Sequence, residues 1–283
     1  MSSSKIKAYF VLIRPYGPIV MGATVVLGEL LAISRVPSIQ ELFFGFLTAF
    51  FLTSAAFVLN DYVDIEIDRI NAPHKPLPKG VISKGTALIY GVFLLTLGLL
   101  FPMFLSIDVF FFAFFTFIIS LLYNLYGKKT GFLGNLMVSF CMAITIIFGA
   151  YIVERSANQV AILIFFLIFL SNTGREITKG IADAEGDKHK NVKSVALLFG
   201  AKKAAVLASI FFCLTTITGP MFYHSLNISN PIIILPTILG EMGFMLSAYK
   251  LLHNQSPEGA LQVNRQVNIW MIILLVVLIL GNL

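Results

Sequence analysis

Eight of the fourteen acidic residues in this chain fall in two short windows, and their spacing suggests shared chemistry. The first window runs Asn60-Asp61-Tyr62-Val63-Asp64-Ile65-Glu66-Ile67-Asp68. The second holds Glu176, Asp183, Glu185 and Asp187. On a helix, Asn60, Asp61, Asp64 and Asp68 share an arc of roughly 100°. Glu176, Asp183 and Asp187 share a narrower stripe that also carries Gly180. Carboxylates gathered on one face resist ionising together unless a cation sits among them. Oxygen ligands without histidine or cysteine favour magnesium or calcium over zinc. Magnesium takes few protein carboxylates and fills its shell with water and substrate phosphate. Two facing acidic helix ends therefore suit a diphosphate held through bridging metals. The plain alternative is a pair of solvated loops whose acids sit beside lysines. The repeated stripe weighs against it.

Basic residues lie close by in sequence. Lys75, Lys79, Lys128, Lys129, Arg175 and Lys179 are candidates to neutralise phosphate oxygens and a departing diphosphate. Lys128, Lys129 and Lys179 are nearest the acidic windows. Each, taken singly, also reads as a charge that sets membrane topology.

The elements that must position these groups are membrane helices. Of 283 residues, 58% are hydrophobic and 12% charged, whereas soluble domains carry about 25% charged residues. A bilayer span needs about 20 apolar residues. Charge-free stretches at 42–60, 85–107, 109–127, 130–153, 156–174 and 266–283 supply six. A seventh fits 15–33, interrupted by Glu29. Pro220, Asn227, Asn230 and Pro231 divide 204–240 into helices near 203–223 and 232–252. The expectation is an all-α polytopic bundle of nine spans forming one membrane-embedded domain over 1–283. Polar cap loops are expected at about 61–85 and 175–203. Pro73 to Gly80 is too proline-rich for a helix to persist.

Orientation follows from lysine and arginine. With the N-terminus inside, eighteen of the twenty lie on the cytoplasmic side, leaving Arg35 and Arg155 outside. Both acidic windows then face the cytoplasm, and the C-terminus lies outside. The same split accounts for the net charge of +6 without a nucleic-acid partner. The N-terminus lacks a cleavable signal pattern. Cys141 and Cys213 sit in apolar runs and suggest neither a disulfide nor a zinc site. Gly127 to Gly131 (GKKTG) lacks the spacing of a phosphate-binding loop.

The stretch from Asn60 to Asn71, followed by Lys75-Pro76-Leu77-Pro78-Lys79-Gly80, resembles the first aspartate-rich motif of the UbiA intramembrane prenyltransferase superfamily. Asp183-Ala184-Glu185-Gly186-Asp187 is similar to its second motif. Arg14-Pro15, and Tyr123 with Lys128 and Lys129, echo other family features. The resemblance implies helices around a central cavity, capped by polar loops. It assigns Asn60, Asp64, Asp68, Asp183 and Asp187 to two magnesium ions and a prenyl diphosphate. Asp61 matches as well, in a structural role. Catalysis then falls to the four aspartates Asp64, Asp68, Asp183 and Asp187 with Lys129. Substrate contacts fall to Asn60, Asp61, Arg14, Lys75, Tyr123, Lys128 and Lys179.

The IEIDRIN and EGD forms are most similar to the archaeal branch that transfers geranylgeranyl to geranylgeranylglyceryl phosphate in ether-lipid biosynthesis. An aromatic acceptor, of quinone or chlorophyll type, is the alternative. A cation-coupled transporter is a further reading. Transport sites usually lie at the bilayer midplane, and these acids gather at one boundary. Close archaeal relatives often have an aspartate where this chain has Gly180. The lipid donor and acceptor need an apolar cavity, for which the phenylalanines around Phe110 to Phe117 are candidates. Arg14 is the candidate for an acceptor phosphate. Glu241, near the middle of a span, is expected to be protonated or functional, and Glu29 is expected near the outer interface.

Overall fold

The computed structural model describes residues 3–185, 193–226 and 231–280, and they form helices, turns and loops. The helices, in chain order, are α1 (Ser3–Ile13), α2 (Tyr16–Ala32), α3 (Ile39–Val63), α4 (Ile65–Asn71), α5 (Lys84–Met103) and α6 (Ile107–Leu125). They continue as α7 (Phe132–Glu154), α8 (Gln159–Ala182), α9 (Val195–Phe199), α10 (Ala201–Leu226), α11 (Pro231–His253) and α12 (Pro257–Leu280). Each of the nine expected spans coincides with one long helix. Six of these, among the described residues, are long and apolar enough to cross a membrane: α3, α5, α6, α7, α8 and the Ala201–Thr218 part of α10. The α1–α2 pair, bent by 46°, is a candidate for a seventh crossing.

Local sequence explains the helix starts. Ser38 caps α3 in a reciprocal box with Glu41, Ser83 caps α5, and Asn158 caps α8. Asn158 also donates to the carbonyls of Leu31 and Ala32, which ties the start of α8 to the end of α2. Pro220 does not end α10, which runs on to Leu226. Pro102 and Pro236 likewise sit inside helices.

Sequential neighbours pack along the chain: α2 on α3 and α7, α3 on α5, α7 on α8, α8 on α10, α10 on α11, and α11 on α12. Helix α12 returns against α8 and α2 and closes the circuit. Small residues permit the tightest contact. A Cβ on Gly28 would lie 2.2 Å from the Ile146 carbonyl oxygen, and one on Gly149 would lie 2.1 Å from that of Val25. The α2–α7 pair therefore meets backbone to backbone, as small residues allow inside membranes.

This closeness also buries Glu29, expected at the outer interface, completely. Its Oε1 occupies the notch left by Gly45, where a Cβ would lie only 2.0 Å away. Neither of its carboxyl oxygens has a hydrogen-bond partner among the described residues. The phenylalanine run also differs from expectation. Phe111 and Phe115 are exposed on the outside of α6, Phe112 packs on Phe148 and Tyr151, and Phe117 is the one that lines the cavity.

Gly149→Ala should destabilise the protein by about 1–3 kcal/mol, the usual range for overpacking, because the clashing atom is backbone. Gly85→Ala, with nothing within 4 Å of its Cβ, should not. Thermal unfolding in one detergent would compare the two. Equal melting temperatures would show that α2 and α7 do not meet so closely.

Candidate active site

The first acidic window is almost continuously helical. Helix α3 reaches Val63, Asp64 forms the junction (φ −87°, ψ 4°), and α4 resumes at Ile65. The acids therefore keep helical spacing, and the structure sorts them into two groups. Asn60 and Asp64 share the ammonium of Lys128, at 3.2 Å and 2.5 Å. Asp61 and Asp68 share that of Lys75, at 3.1 Å and 2.6 Å. Asp61 also accepts from Arg14 at 2.6 Å, and its own side chain is only 4% exposed.

Arg14 occupies the bend between α1 and α2 with φ 47°, a region that non-glycine residues rarely visit. Pro15 disfavours ordinary helical geometry for the residue before it. The guanidinium lies 5.1 Å from the Phe57 ring centroid and bonds to Asp61, so α3 holds the strained residue in place. Asp61 is thus held between Arg14 and Lys75 at the bend.

The second window begins inside the bundle. Helix α8 continues to Ala182, so Arg175, Glu176 and Lys179 are helical wall residues and not part of a cap loop. Asp183 caps the end of α8 and is exposed, as is Glu185. Asp187 lies outside the described residues. A Cβ on Gly180 would meet the Ser194 side chain at 3.5 Å. That position therefore faces the segment returning towards α9.

The loop between α6 and α7 links the two windows. A short 3-10 turn, Gly127–Lys129, places Lys128 over Asn60 and Asp64. The Lys129 carbonyl accepts from the Lys193 amide at 3.3 Å, while the Lys129 side chain is exposed. Gly131 makes this approach possible. It has φ 69°, and a Cβ there would lie 1.9 Å from the Lys193 carbonyl oxygen.

Below this polar end is a cavity of about 470 Å³ between α2, α3, α6, α7, α8 and α12. Arg14, Asn60, Tyr123, Arg175, Glu176 and Lys179 line its polar part, and Met21, Phe117 and Phe148 its apolar part. Asn124 also lines it and fastens α6 to α3 by donating to the Ala56 carbonyl at 3.2 Å.

One buried network was not expected from sequence. Arg175 pairs with Glu176 and donates through Nε to Asn172 Oδ1 at 2.8 Å. Asn172 in turn donates to Ser139 Oγ at 3.1 Å. Asn172 and Ser139 are both fully buried. The period of α8 could have revealed Asn172, which is one turn before Glu176. Nothing in sequence pairs it with Ser139 on α7.

Among the described residues, no three His, Cys, Asp or Glu side chains converge as a metal-ligating group. The donor set nevertheless fits a hard cation. Asn60 and Asp64 present oxygens from one helix face to a single point of positive charge, now the Lys128 ammonium. Asp183 offers a further exposed carboxylate at the end of α8.

The sequence matches the UbiA prenyltransferase family model over residues 21–280. It is 33% identical over 281 residues to the digeranylgeranylglyceryl phosphate synthase of Pyrococcus abyssi, covering 99% of this chain and 98% of that one. It is 34% identical over 243 residues to the enzyme of that name from Methanosphaera stadtmanae, covering 86% and 88%. A solved structure from work on digeranylgeranylglyceryl phosphate synthase in membranes superposes with a TM-score of 0.80 at 30% identity, covering 99% of both chains. A UbiA homolog from Archaeoglobus fulgidus, solved bound to GPP and Mg2+, superposes with a TM-score of 0.66 at 20% identity over 96% of this chain and 99% of that one. That likeness speaks for the fold.

The Arg14–Asp61 pair should show energetic coupling. In a double-mutant cycle, Arg14→Met and Asp61→Asn should each destabilise the protein and together cost about 1 kcal/mol less than their sum. The figure is kept small because Arg14 is 42% exposed. Strict additivity of the two melting shifts would mean that the pair does not hold the bend.

Proposed function

This chain belongs to the UbiA prenyltransferase family, and from that premise we propose that it transfers a geranylgeranyl group from its diphosphate to the free hydroxyl of geranylgeranylglyceryl phosphate. The observation that carries this reading is one junction. A mouth whose side chains gather around cations opens onto an apolar cavity of about 470 Å³, within the size range of small-molecule pockets. The relatives named digeranylgeranylglyceryl phosphate synthase support the choice of donor and acceptor. A multi-pass membrane enzyme can take both lipids laterally from the bilayer. We place the acidic windows and the N-terminus in the cytoplasm, with nine spans, one domain and the C-terminus outside.

In this reading Asn60, Asp64, Asp68, Asp183 and Asp187 hold two magnesium ions. Bound magnesium would neutralise the diphosphate and make it a better leaving group. Lys128, now shared by Asn60 and Asp64, moves its ammonium onto the arriving phosphate oxygens. Lys129 and Lys179 add charge from the adjoining loop and from α8, and Lys75 holds Asp68 in position. Tyr123 and the apolar wall position the allylic carbon, and Arg14 faces the acceptor phosphate from the opposite side of the mouth. No protein nucleophile is needed, because alignment of the two substrates and charge at the leaving group supply the rate. The cavity excludes water from the developing allylic cation.

Purified protein given geranylgeranyl diphosphate, magnesium and two competing acceptors (geranylgeranylglyceryl phosphate and 4-hydroxybenzoate) should form the digeranylgeranyl ether, detected by mass spectrometry. EDTA should abolish the product. Asp64→Asn should lower turnover at least about 100-fold while leaving the fold intact, the scale of lost electrostatic stabilisation at such sites. An aromatic product would move the enzyme to another acceptor class. Full activity in EDTA would remove magnesium from the mechanism.

A further inference from the structure

Forming an ether from an alcohol releases a proton, and the carboxylates assigned above to metal and diphosphate are already engaged by cations. Asp61 is engaged by Arg14 and Lys75, Asp68 by Lys75, and Asp64 by Lys128. The basic residues at the mouth are cations and cannot accept it. Among the described residues, Glu176 is the only carboxylate that lines the cavity.

Its setting is built rather than incidental. Glu176 is in α8, seven residues before Asp183 and away from the loop, with its side chain 11% exposed. Arg175 holds Oε1, and Oε2 carries no hydrogen bond among the described residues. Arg175 is itself fixed through Asn172 to Ser139 on the neighbouring helix α7. One oxygen is thus anchored and the other remains available to the cavity. Arg14, Asn60 and Tyr123 line the same cavity from α3, α6 and the α1–α2 bend.

Resting on the alcohol-acceptor reading above, we infer that Glu176 takes the proton from the acceptor hydroxyl as the new C–O bond forms. The allylic C–O bond of the donor breaks, and its electron pair leaves on the diphosphate oxygen. The acceptor oxygen gives a lone pair to the allylic carbon. The O–H electrons remain on that oxygen, and the proton passes to Oε2 of Glu176. No oxidant or further reactant is required. A carboxylate paired with arginine is a weak base, and a weak base is enough here. The hydroxyl proton becomes strongly acidic once its oxygen has donated to a cationic carbon, so placement matters more than basicity.

The test uses the full chain in lipid nanodiscs with geranylgeranyl diphosphate and magnesium. Ether product, released diphosphate and donor binding are measured side by side. Glu176→Gln should cut ether formation about 100-fold or more, the lower range for loss of a positioned base. Donor binding should persist, and diphosphate release should fall much less, with prenyl alcohol taking the place of ether. Glu176→Asp, which keeps the charge beside Arg175, should retain far more ether formation than Glu176→Gln at equal thermal stability. Wild-type ether formation in Glu176→Gln would overturn the assignment and give the proton to the departing diphosphate. A parallel loss of donor binding and diphosphate release in folded Glu176→Gln and Glu176→Asp would also overturn it, making Glu176 part of the donor site. The ratio of transferred to hydrolysed prenyl group is taken on whichever acceptor the unsubstituted protein uses. A wrong acceptor reading is thereby distinguished from a wrong proton acceptor.

Discussion

Carboxylates set into the end of an apolar bundle must be held by cations, and the rest of this structure depends on that requirement. Water is too scarce there to solvate them, so each must find positive charge within the protein. Asp61, nearly out of solvent, meets the need with Arg14 and Lys75. Those two bonds pin three segments to α3: the bend before α2, the proline-rich loop, and through Asp68 the short helix α4. The first acidic motif is therefore half scaffold. Its other half, Asn60 and Asp64, holds Lys128, from the loop between α6 and α7.

This division separates two demands that usually conflict. A site for a highly charged leaving group needs charge that can rearrange, whereas a helix bundle needs charge that stays paired. Asp61, held by both Arg14 and Lys75, meets the second demand and leaves Asn60 and Asp64 for the first. The glycine contacts act similarly at the other end of the bundle. Gly28 and Gly149 bring α2 and α7 into backbone contact. Glu29 fills the notch that Gly45 leaves on α3.

Much of this was legible in sequence because it depends on length and charge. Charge-free windows located six of the long helices, since no soluble element needs so long an apolar run. The stripe spacing of Asn60, Asp61, Asp64 and Asp68 placed the first motif on one helix face, and the structure keeps it there. What opposes each face was not legible. A helical wheel gives the direction of a side chain but not its neighbour, so the split between Lys75 and Lys128 was hidden. The end of α8 was also misplaced. Arg175 and Glu176 are charged, and a charge-free window must stop at them, yet their mutual pairing lets the helix continue. The burial of Glu29 was hidden for the same reason: it depends on Gly45, on another helix. The outward turn of Phe111 and Phe115 follows from the packing of α6, which composition does not encode.

Gly180 shows how the two motifs differ in kind. A glycine inside a helix costs about 1 kcal/mol relative to alanine, so its presence calls for a reason. Crowding does not supply one, because a Cβ would make only an ordinary contact with Ser194 at 3.5 Å. Nor would a short side chain there turn directly into the cavity, since the position faces the segment leading into α9. A carboxylate at this point would stand beside the N-cap of α9, where Ser194 already satisfies the Leu197 amide. Its charge would therefore reach a metal at the mouth only by bending away from that cap. Among the described residues of the second motif, Asp183 at the exposed end of α8 is then the carboxylate proposed to reach the metal. In the proposed reading the first motif would bind from within a helix braced by Arg14 and Lys75, and the second from Asp183 at the exposed end of α8.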